Sequence, residues 1–232
     1  MAISTQTSTP TQGNSTLHAV RQMKYSDLAN VVAWHSQSFS SAFYSQLGHG
    51  FLRHWFTSHM NAPESVSLTV SDSSGHLVGY LIGTTDQSAA SGVSWQTGYI
   101  TGLRGACALL ARPRMWVSFL RVRVRPYAGK TIRLILRPRK GKVLSSGDGQ
   151  LMYICMAPSH RCRGAGSVLL EAFVGKARRS DATRLTLVTE TENVSAQRFY
   201  LRHGWTMNSS PAQAMDGRPL TRMELNLGED AI

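Results

Sequence analysis

The sequence has little cysteine, and its few cysteines follow no pairing pattern. Cys107, Cys155 and Cys162 are the only three, and no two of them form a CxxC pair. The eight histidines form no HxxxH or HxH pattern. These absences argue against a disulfide framework and against a zinc site. They fit a reducing compartment, so we expect a cytoplasmic protein without a metal.

Long apolar runs are also missing. The longest uncharged apolar run is too short to cross a bilayer. Residues 1–16 are rich in Ser, Thr and Gln and contain no apolar stretch, which predicts a disordered tail and not a signal peptide. We expect residues 17–228 to form one domain, since a hydrophobic content of 42% is enough for a core.

Acidic residues are absent from one long segment. Residues 87–147 contain twelve Lys or Arg residues and no Asp or Glu. The other thirteen basic residues are matched by thirteen acidic ones, so this segment accounts for the net charge of +12. Two stretches in it predict helices, TGYITGLRGACALLA and PRMWVSFLRVRV. We interpret residues from about 87 to 149 as a basic helical insertion, because about 60 residues this cationic would bury a poor core alone.

The remaining chain alternates between strand and helix patterns. Helical spacing marks four segments: SDLANVVAWHSQSF with Ser26 as its cap, GHGFLRHWFTSHM, GSVLLEAFVGKARR and NVSAQRFYLRHG. Strand patterns mark LHAVRQM, SVSLTV, HLVGYLIGT, LMYICMA, RLTLVTE, WTM and LTRMELNL. The order predicts an α/β (α+β) fold, with a mixed sheet flanked by helices and the insertion between strands 3 and 4.

The stretch RCRGAGSVLLEAF, residues 161–173, has the features of an anion site. It leads from the apolar strand LMYICMA into a helix, whose N-terminal N–H groups lack partners and carry the positive end of the dipole. Gly164 and Gly166 leave the backbone accessible, while Arg161 and Arg163 add positive charge. A P-loop is excluded because no lysine follows. A dinucleotide site stays open as an alternative, although Leu169 stands where GxGxxG needs its third glycine.

Two motifs make a third interpretation specific. ICMAPSHRCRGAGSVLLEAF resembles motif A of the GNAT superfamily of acetyltransferases, in which Arg/Gln-x-x-Gly-x-Gly/Ala opens a helix after an apolar strand. ENVSAQRFYLRHGW, farther along the chain, resembles motif B of the same superfamily. The resemblance covers roughly residues 17–86 and 150–227. It implies the GNAT fold, a mostly antiparallel central sheet with flanking helices, and acetyl-CoA as a co-substrate without any metal.

The resemblance also implies where acetyl-CoA would bind. The pyrophosphate would lie on the loop amides, and the pantetheine arm would lie along the backbone of the preceding strand, as a peptide does at a strand edge. Asn193 would either contact the cofactor or only cap its helix. The implied cofactor-binding residues are Ile154, Cys155, Met156, Arg161, Cys162, Arg163, Gly164, Ala165, Gly166, Ser167 and Asn193.

The resemblance implies two catalytic residues, Tyr200 and Glu190. Tyr200 matches a family position, whereas Glu190 is chosen only as a nearby carboxylate. Tyr200 matches the tyrosine that protonates the departing CoA thiolate in many relatives. Relatives often have a glutamate as general base at a position where this sequence has Gln150, and others have one where it has Val188. Glu190 is the nearby carboxylate, with Glu192, Tyr153, His35, Asp86 or a water chain as alternatives. The missing base also leaves room for a non-catalytic acyl-CoA-binding protein.

The partner of this site is expected to be a small molecule with a primary amine. SAFYSQLGHGFLRHWF and ALLARPRMWVSFLRVRV resemble a bacterial GNAT subgroup linked to cell-surface polysaccharide and amino-sugar pathways. A phosphorylated acceptor, such as an amino-sugar nucleotide, would suit a cationic wall made by the insertion. A protein or peptide amine is the alternative acceptor.

The basic segment has two other interpretations. It is either a solvated surface or a contact with anionic membrane through residues 104–142, where apolar side chains alternate with arginines. A homodimer is compatible with an exposed final strand. No motif indicates a specific nucleic-acid partner.

Overall fold

A computed structural model describes residues 19–87, 147–161, 163–213 and 218–228. Seven strands form one sheet in the order β1-β2-β3-β4-β5-β7-β6, and all neighbours are antiparallel except the parallel pair β4–β5. The mixed, mostly antiparallel sheet predicted from the sequence is confirmed. The strands are β1 Ala19–Gln22, β2 Ser65–Ser71, β3 Leu77–Thr84, β4 Asp148–Met156, β5 Arg184–Glu190, β6 Thr206–Gln213 and β7 Pro219–Asn226.

Helices cover both faces of the sheet. They are α1 Leu28–Ser38, α2 Phe43–Gln46, α3 His49–Met60, α4 Ala165–Arg179 and α5 Val194–Arg202, with short 3-10 turns at Tyr25–Asp27 and Pro158–His160. One apolar layer joins α1 and α3 to Tyr80, Ile82 and Cys155. The other joins α4 and α5 to the opposite face of the same strands, with Phe173 fully buried in it. The two layers place α4 on one side of β4 and α1 on the other.

Most element boundaries agree with the sequence patterns, and the differences are local. β5 spans the seven residues of RLTLVTE, and α3 begins at His49, one residue after the start of its predicted segment. Ser26 is not the cap of α1, because it lies inside the preceding 3-10 turn and Asp27 holds the N-cap position. β4 begins at Asp148, before the predicted Leu151. The predicted tail at 1–16 and the two helices predicted in the insertion lie outside the described residues.

Gly83 lets α4 pack closely on the sheet. A Cβ at this position would lie 2.7 Å from the Gln150 carbonyl oxygen and 2.7 Å from the Phe173 ring. Both distances are shorter than real Cβ contacts, so any side chain here would push α4 away from β3. Glycine therefore sets the height of α4 above the strands that carry the candidate site.

Candidate active site

The candidate site is a gap between two parallel strands. In the described chain, β4 and β5 pair at three positions only, Asp148–Gln150 against Arg184–Thr186. β4 continues to Met156 paired with β3, while β5 continues to Glu190 paired with β7. The two strands therefore diverge beyond Gln150. Among the described strands, none pairs with this edge of β4 over 151–156.

Two features give the gap its shape. Its closed end is held by Arg184, whose guanidinium donates to both carboxylate oxygens of the buried Asp148 at 2.7 and 3.2 Å. In β4, the register against β3 shifts between Tyr153 and Leu151, so Met152 is an extra residue, a β-bulge. Bulges bend a strand and increase its twist, which turns the upper part of β4 away from β5.

The loop after β4 leads directly into the N-terminus of α4. Gly164 is the N-cap and has a φ of +84°, a conformation that favours glycine, and its carbonyl accepts from the N–H of Ser167 at 2.9 Å. No acidic side chain lies in the first turn of α4, whereas Lys176, Arg178 and Arg179 lie in the last. The positive end of this helix is therefore not neutralised from within the helix, and an anion is stabilised there.

The structure places Arg161 and Arg163 on the exposed side of this loop, and Cys162 lies outside the described residues. Arg161 donates through Nη2 to the Ser38 hydroxyl at the end of α1, at 3.1 Å. The Cys155 thiol donates to the same hydroxyl at 3.2 Å, and burial raises the pKa of that thiol. Ser38 thus connects α1 to both β4 and the loop. Sequence reasoning missed Ser38, because no local pattern distinguishes it from other polar residues on α1.

Tyr200 lies on α5, buried in the same apolar layer as α4. Its ring contacts Phe199 at 5.2 Å and Trp205 at 5.8 Å between centroids. Ile154 and Met156 of β4 pack against the same layer. Burial raises the pKa of Tyr200, so its phenol is protonated at neutral pH and is available as a proton donor.

Asn193 and Glu190 both have protein partners near the end of β5. The Asn193 side chain accepts from the N–H of Ala196 at 3.1 Å and so caps α5, which is one of the two roles expected for it. Glu190 is half exposed and forms an ion pair with Arg218, a residue just before β7 that sequence reasoning did not select. Glu190 therefore stands at the open end of the gap, and its carboxylate already contacts a cation.

The two positions where relatives have a glutamate, Gln150 and Val188, and the two alternative carboxylates, Asp86 and Glu192, occupy different settings. Gln150 is the last β4 residue paired with β5, so it stands where the strands begin to diverge. Val188 is on β5 with 41% of its surface exposed. Asp86 lies two residues beyond β3, half-buried, and Glu192 is exposed in the turn before α5. Of these four, Asp86 is the carboxylate whose chain neighbours contact the point of divergence, because Thr84 pairs with Gln150 and the Gln87 side chain donates to Thr186.

His35 and Tyr153 belong to a buried aromatic cluster between α1 and β4. His35 Nδ1 is 2.7 Å from the Tyr80 hydroxyl, and Nε2 is buried without a hydrogen-bond partner among the described groups. The rings of Phe39, Phe56 and Tyr153 surround the imidazole at 4.7 to 5.2 Å. Burial lowers the pKa of His35 to about 4 and raises the pKa of Tyr153 to about 12. At neutral pH His35 is therefore neutral and Tyr153 protonated.

Comparison with known families supplies the decisive observation. The acetyltransferase (GNAT) family profile matches residues 28–205, well over half of the 232 residues. The chain belongs to the GNAT acetyltransferase family. It is an acyltransferase with acetyl-CoA as its donor. No curated protein matches this chain significantly by sequence.

Solved structures share the fold of this GNAT chain at low sequence identity. yncA of Salmonella typhimurium, solved with its cofactor acetyl-CoA, has a TM-score of 0.56 at 15% identity and covers 93% of this chain and 97% of its own. The ribosomal-protein-alanine N-acetyltransferase of Brucella melitensis gives 0.56 at 15% identity, with 90% and 99% covered. The spermidine/spermine N-acetyltransferase SpeG of Vibrio cholerae gives 0.52 at 13%, with 90% and 92% covered. The last two are named for different acceptors, a ribosomal-protein alanine and spermidine or spermine, so the shared fold leaves the acceptor undetermined.

Two further properties hold for the described part of this GNAT chain. None of its helices has the length and apolar character that crossing a bilayer requires. Its His, Cys, Asp and Glu side chains form no group of three or more that could bind a metal ion.

The pH dependence of stability tests the buried state of His35. Its pKa falls from an ordinary 6.5 to about 4 on folding, so the unfolded chain binds a proton that folded His35 does not. Stability should therefore decrease as pH falls from about 6.5 to about 4. We expect His35→Gln to flatten this part of the profile, measured as the free energy of unfolding in urea. His76→Gln, at a histidine with an 81% exposed side chain, is the control for replacing a histidine by glutamine. Equal slopes in wild type and His35→Gln would contradict the assignment.

Proposed function

We propose that this protein transfers an acetyl group from acetyl-CoA to the primary amine of a small molecule, an amino sugar or its nucleotide. The observation that carries the proposal is the gap between β4 and β5, which opens beside the N-terminus of α4. A strand edge without a partner and an anion-stabilising helix end are the two features that a pantetheine arm and a pyrophosphate need.

The pyrophosphate would lie on the loop from Arg161 to Ser167. A Cβ at Gly164 would meet no atom within 4 Å, so the loop backbone is open to a ligand. Arg161 and Arg163 would add charge-assisted hydrogen bonds to phosphate oxygens. Asn193 would hold the start of α5 beside this loop through its cap, and its remaining amide donors would face the ligand only if the side chain turns.

The pantetheine arm would lie along Ile154, Cys155 and Met156. These residues pair with β3 on one side, through Gly79, Tyr80 and Leu81, and have no strand on the other. Backbone amides on that open edge would bind the arm as a peptide is bound at a sheet edge. An amide aimed at the thioester oxygen would stabilise the charge that develops there during attack.

In the proposed reaction, the amine nitrogen attacks the thioester carbonyl carbon, and the carbon–sulfur bond breaks. The thiolate that leaves takes the proton of the Tyr200 phenol. The nitrogen loses one proton, which Glu190 accepts directly or through water. Glu190 is the candidate because it is the carboxylate at the open end of β5, although Arg218 contacts it.

The acceptor assignment comes from charge and from chain geometry. The basic segment leaves the described structure at Gln87 and returns at Gly147, and both residues contact β5. The Gln87 side chain donates to Thr186 Oγ1 at 3.1 Å, and the Gly147 carbonyl accepts from the N–H of Thr183 at 2.8 Å. The segment that carries the twelve unmatched cations is therefore joined to the sheet at both of its ends. Phosphate groups on an acceptor would be attracted to these cations.

An acceptor screen tests the small-molecule assignment. Acetyl transfer to glucosamine 6-phosphate and to a nucleotide-linked amino sugar would be compared with transfer to spermidine and to a peptide with an N-terminal alanine. We expect the phosphorylated amino sugars to react fastest. Replacing Arg121, Arg123 and Arg125 with serine should weaken their transfer about tenfold, or about 1.4 kcal/mol. Unchanged transfer with reduced binding to anionic liposomes would instead favour a docking surface, and fastest transfer to the peptide would favour a protein acceptor.

Gly164→Glu tests the pyrophosphate loop. A carboxylate at the N-cap of α4 would repel the anion, so we expect acetyl-CoA affinity to fall at least about 100-fold, or about 2.7 kcal/mol. Gly204→Glu is the matched control. Gly204 has a similar φ of +80°, but it lies beside the C-terminal half of α4. Both variants should lose similar stability, so calorimetric binding separates them. Equal affinities in the two variants would place the pyrophosphate elsewhere.

Tyr200→Phe tests the proton donor. The ring stays in its packed position, so we expect acetyl-CoA affinity and thermal stability to change little. Loss of the phenol proton should lower kcat about 100-fold, the low end of the effect of a general acid. Because the pKa of Tyr200 is raised, this group should cause no loss of kcat between neutral pH and about pH 10, its ordinary value. A kcat within about threefold of wild type would exclude the assigned role.

A further inference from the structure

The connection between α1 and α2, residues 39–42, crosses the open gap. At its start it is attached to the β4 side. The Phe39 ring lies 5.3 Å from the Tyr153 ring of β4, and Ser38 accepts a hydrogen bond from Arg161 of the loop. Two residues later the chain has reached the β5 side, where Ser41 contacts Arg218. The connection therefore joins the two diverging arms of the sheet at their open end.

At the β5 end of this connection, Ser41 is bound by Arg218, and the Ser41 carbonyl oxygen also accepts a hydrogen bond from Gln46 Nε2 of α2 at 3.0 Å. Arg218 Nη1 donates to Ser41 Oγ at 3.0 Å, and its Nη2 lies 3.3 Å from the Ser41 carbonyl oxygen. The same Nη1 contacts Glu190 at the end of β5. One guanidinium thus links three elements: the α1–α2 connection, β5 and the start of β7. The fork geometry of arginine allows this, since its donors point in fixed, separate directions.

We propose that Arg218 is a positioning residue for the acceptor amine. It holds the connection 39–42 against the β5 arm and so fixes one wall of the open end of the gap, where the amine must approach the thioester. This proposal rests on the proposed function, because it takes the gap as the place of acetyl transfer. The contacts of Arg218 to Ser41 and Glu190 lie at the end of β5, so its effect should fall on the acceptor more than on acetyl-CoA.

The physical reason is that the connection has little else to hold it on that side. Ser40 and Ser41 are exposed, and the internal hydrogen bonds of the segment are short-range, such as Ala42 N–H to the Phe39 carbonyl at 2.9 Å. Exposed segments with few apolar contacts open locally at low cost. Without Arg218 the connection would keep its attachment to β4 through Phe39 and Ser38 and lose the attachment to β5 that Arg218 provides.

The experiment compares Arg218→Ala and Arg218→Lys with Arg222→Ala. Arg222 is an exposed arginine of β7, so its replacement controls for the removal of one surface cation. Hydrogen exchange is measured in peptides that contain Ala42, Gln46 and Leu47, whose N–H groups are hydrogen-bonded in this segment. Acetyl-CoA affinity is measured by calorimetry. The KM and kcat are measured with the fastest amine of the acceptor screen.

Arg218→Ala should speed exchange in these peptides at least about tenfold and raise the amine KM at least about tenfold. Its kcat should fall less than KM rises, and acetyl-CoA affinity should stay within about twofold. Arg218→Lys should give intermediate exchange rates and an intermediate amine KM. Its ammonium group can keep the ion pair with Glu190 but cannot make both hydrogen bonds to Ser41. Arg222→Ala should match wild type.

Three results would overturn the proposal. If Arg218→Ala leaves hydrogen exchange and the amine KM unchanged while acetyl-CoA still binds, the positioning role of Arg218 is rejected and the proposed function stands. A loss of acetyl-CoA affinity as large as the rise in KM would assign Arg218 to the cofactor site. A wild-type protein that binds no acetyl-CoA would reject the proposed function together with this role, and calorimetry identifies that case before any variant is made.

Discussion

The arrangement of the candidate site depends on the early end of pairing between β4 and β5. Parallel strands in a sheet normally satisfy each other's backbone groups along their whole length. Here the ladder stops after Gln150, and each strand continues with its other neighbour alone. In the resulting gap, β4 has unpaired backbone groups on its β5 side although it lies in the middle of the sheet. Such unpaired groups are able to bind an extended ligand.

Such a gap is tolerated because both of its sides are supported elsewhere. Arg184 and Asp148 hold the closed end, and the bulge at Met152 turns β4 away gradually. The two apolar layers pack on opposite faces of the sheet, and the layer with α4 and α5 includes Leu151 of β4 together with Leu185 and Leu187 of β5, so side-chain packing supports both strands where their pairing stops. Gly83 brings the middle of α4, at Phe173, close to β3. Stability and access are thus provided by different residues.

The charged groups also differ between the two sides of the gap. The anion-stabilising end of α4 has no acid in its first turn, and Arg161 of the loop before it binds a serine hydroxyl, a weak partner that phosphate oxygens can replace. At the end of β5, on the other side of the gap, the Glu190 carboxylate meets Arg218. The described residues therefore place an unneutralised helix end and an arginine on one side of the gap and a paired carboxylate on the other.

Much of the fold could be predicted from the sequence, because local patterns report local structure. RLTLVTE became β5, the glycine loop opened α4, and Asn193 capped α5, since strand alternation, glycine freedom and capping act over a few residues. The position of the candidate gap was implied only through family resemblance. Tertiary structure alone decided that Gln150 is the last paired residue, that Ser38 meets Arg161, and that Arg218 holds Ser41 and Glu190. Those contacts join residues far apart in the chain, and strand register and side-chain meeting points are set by packing, which no short stretch of sequence encodes.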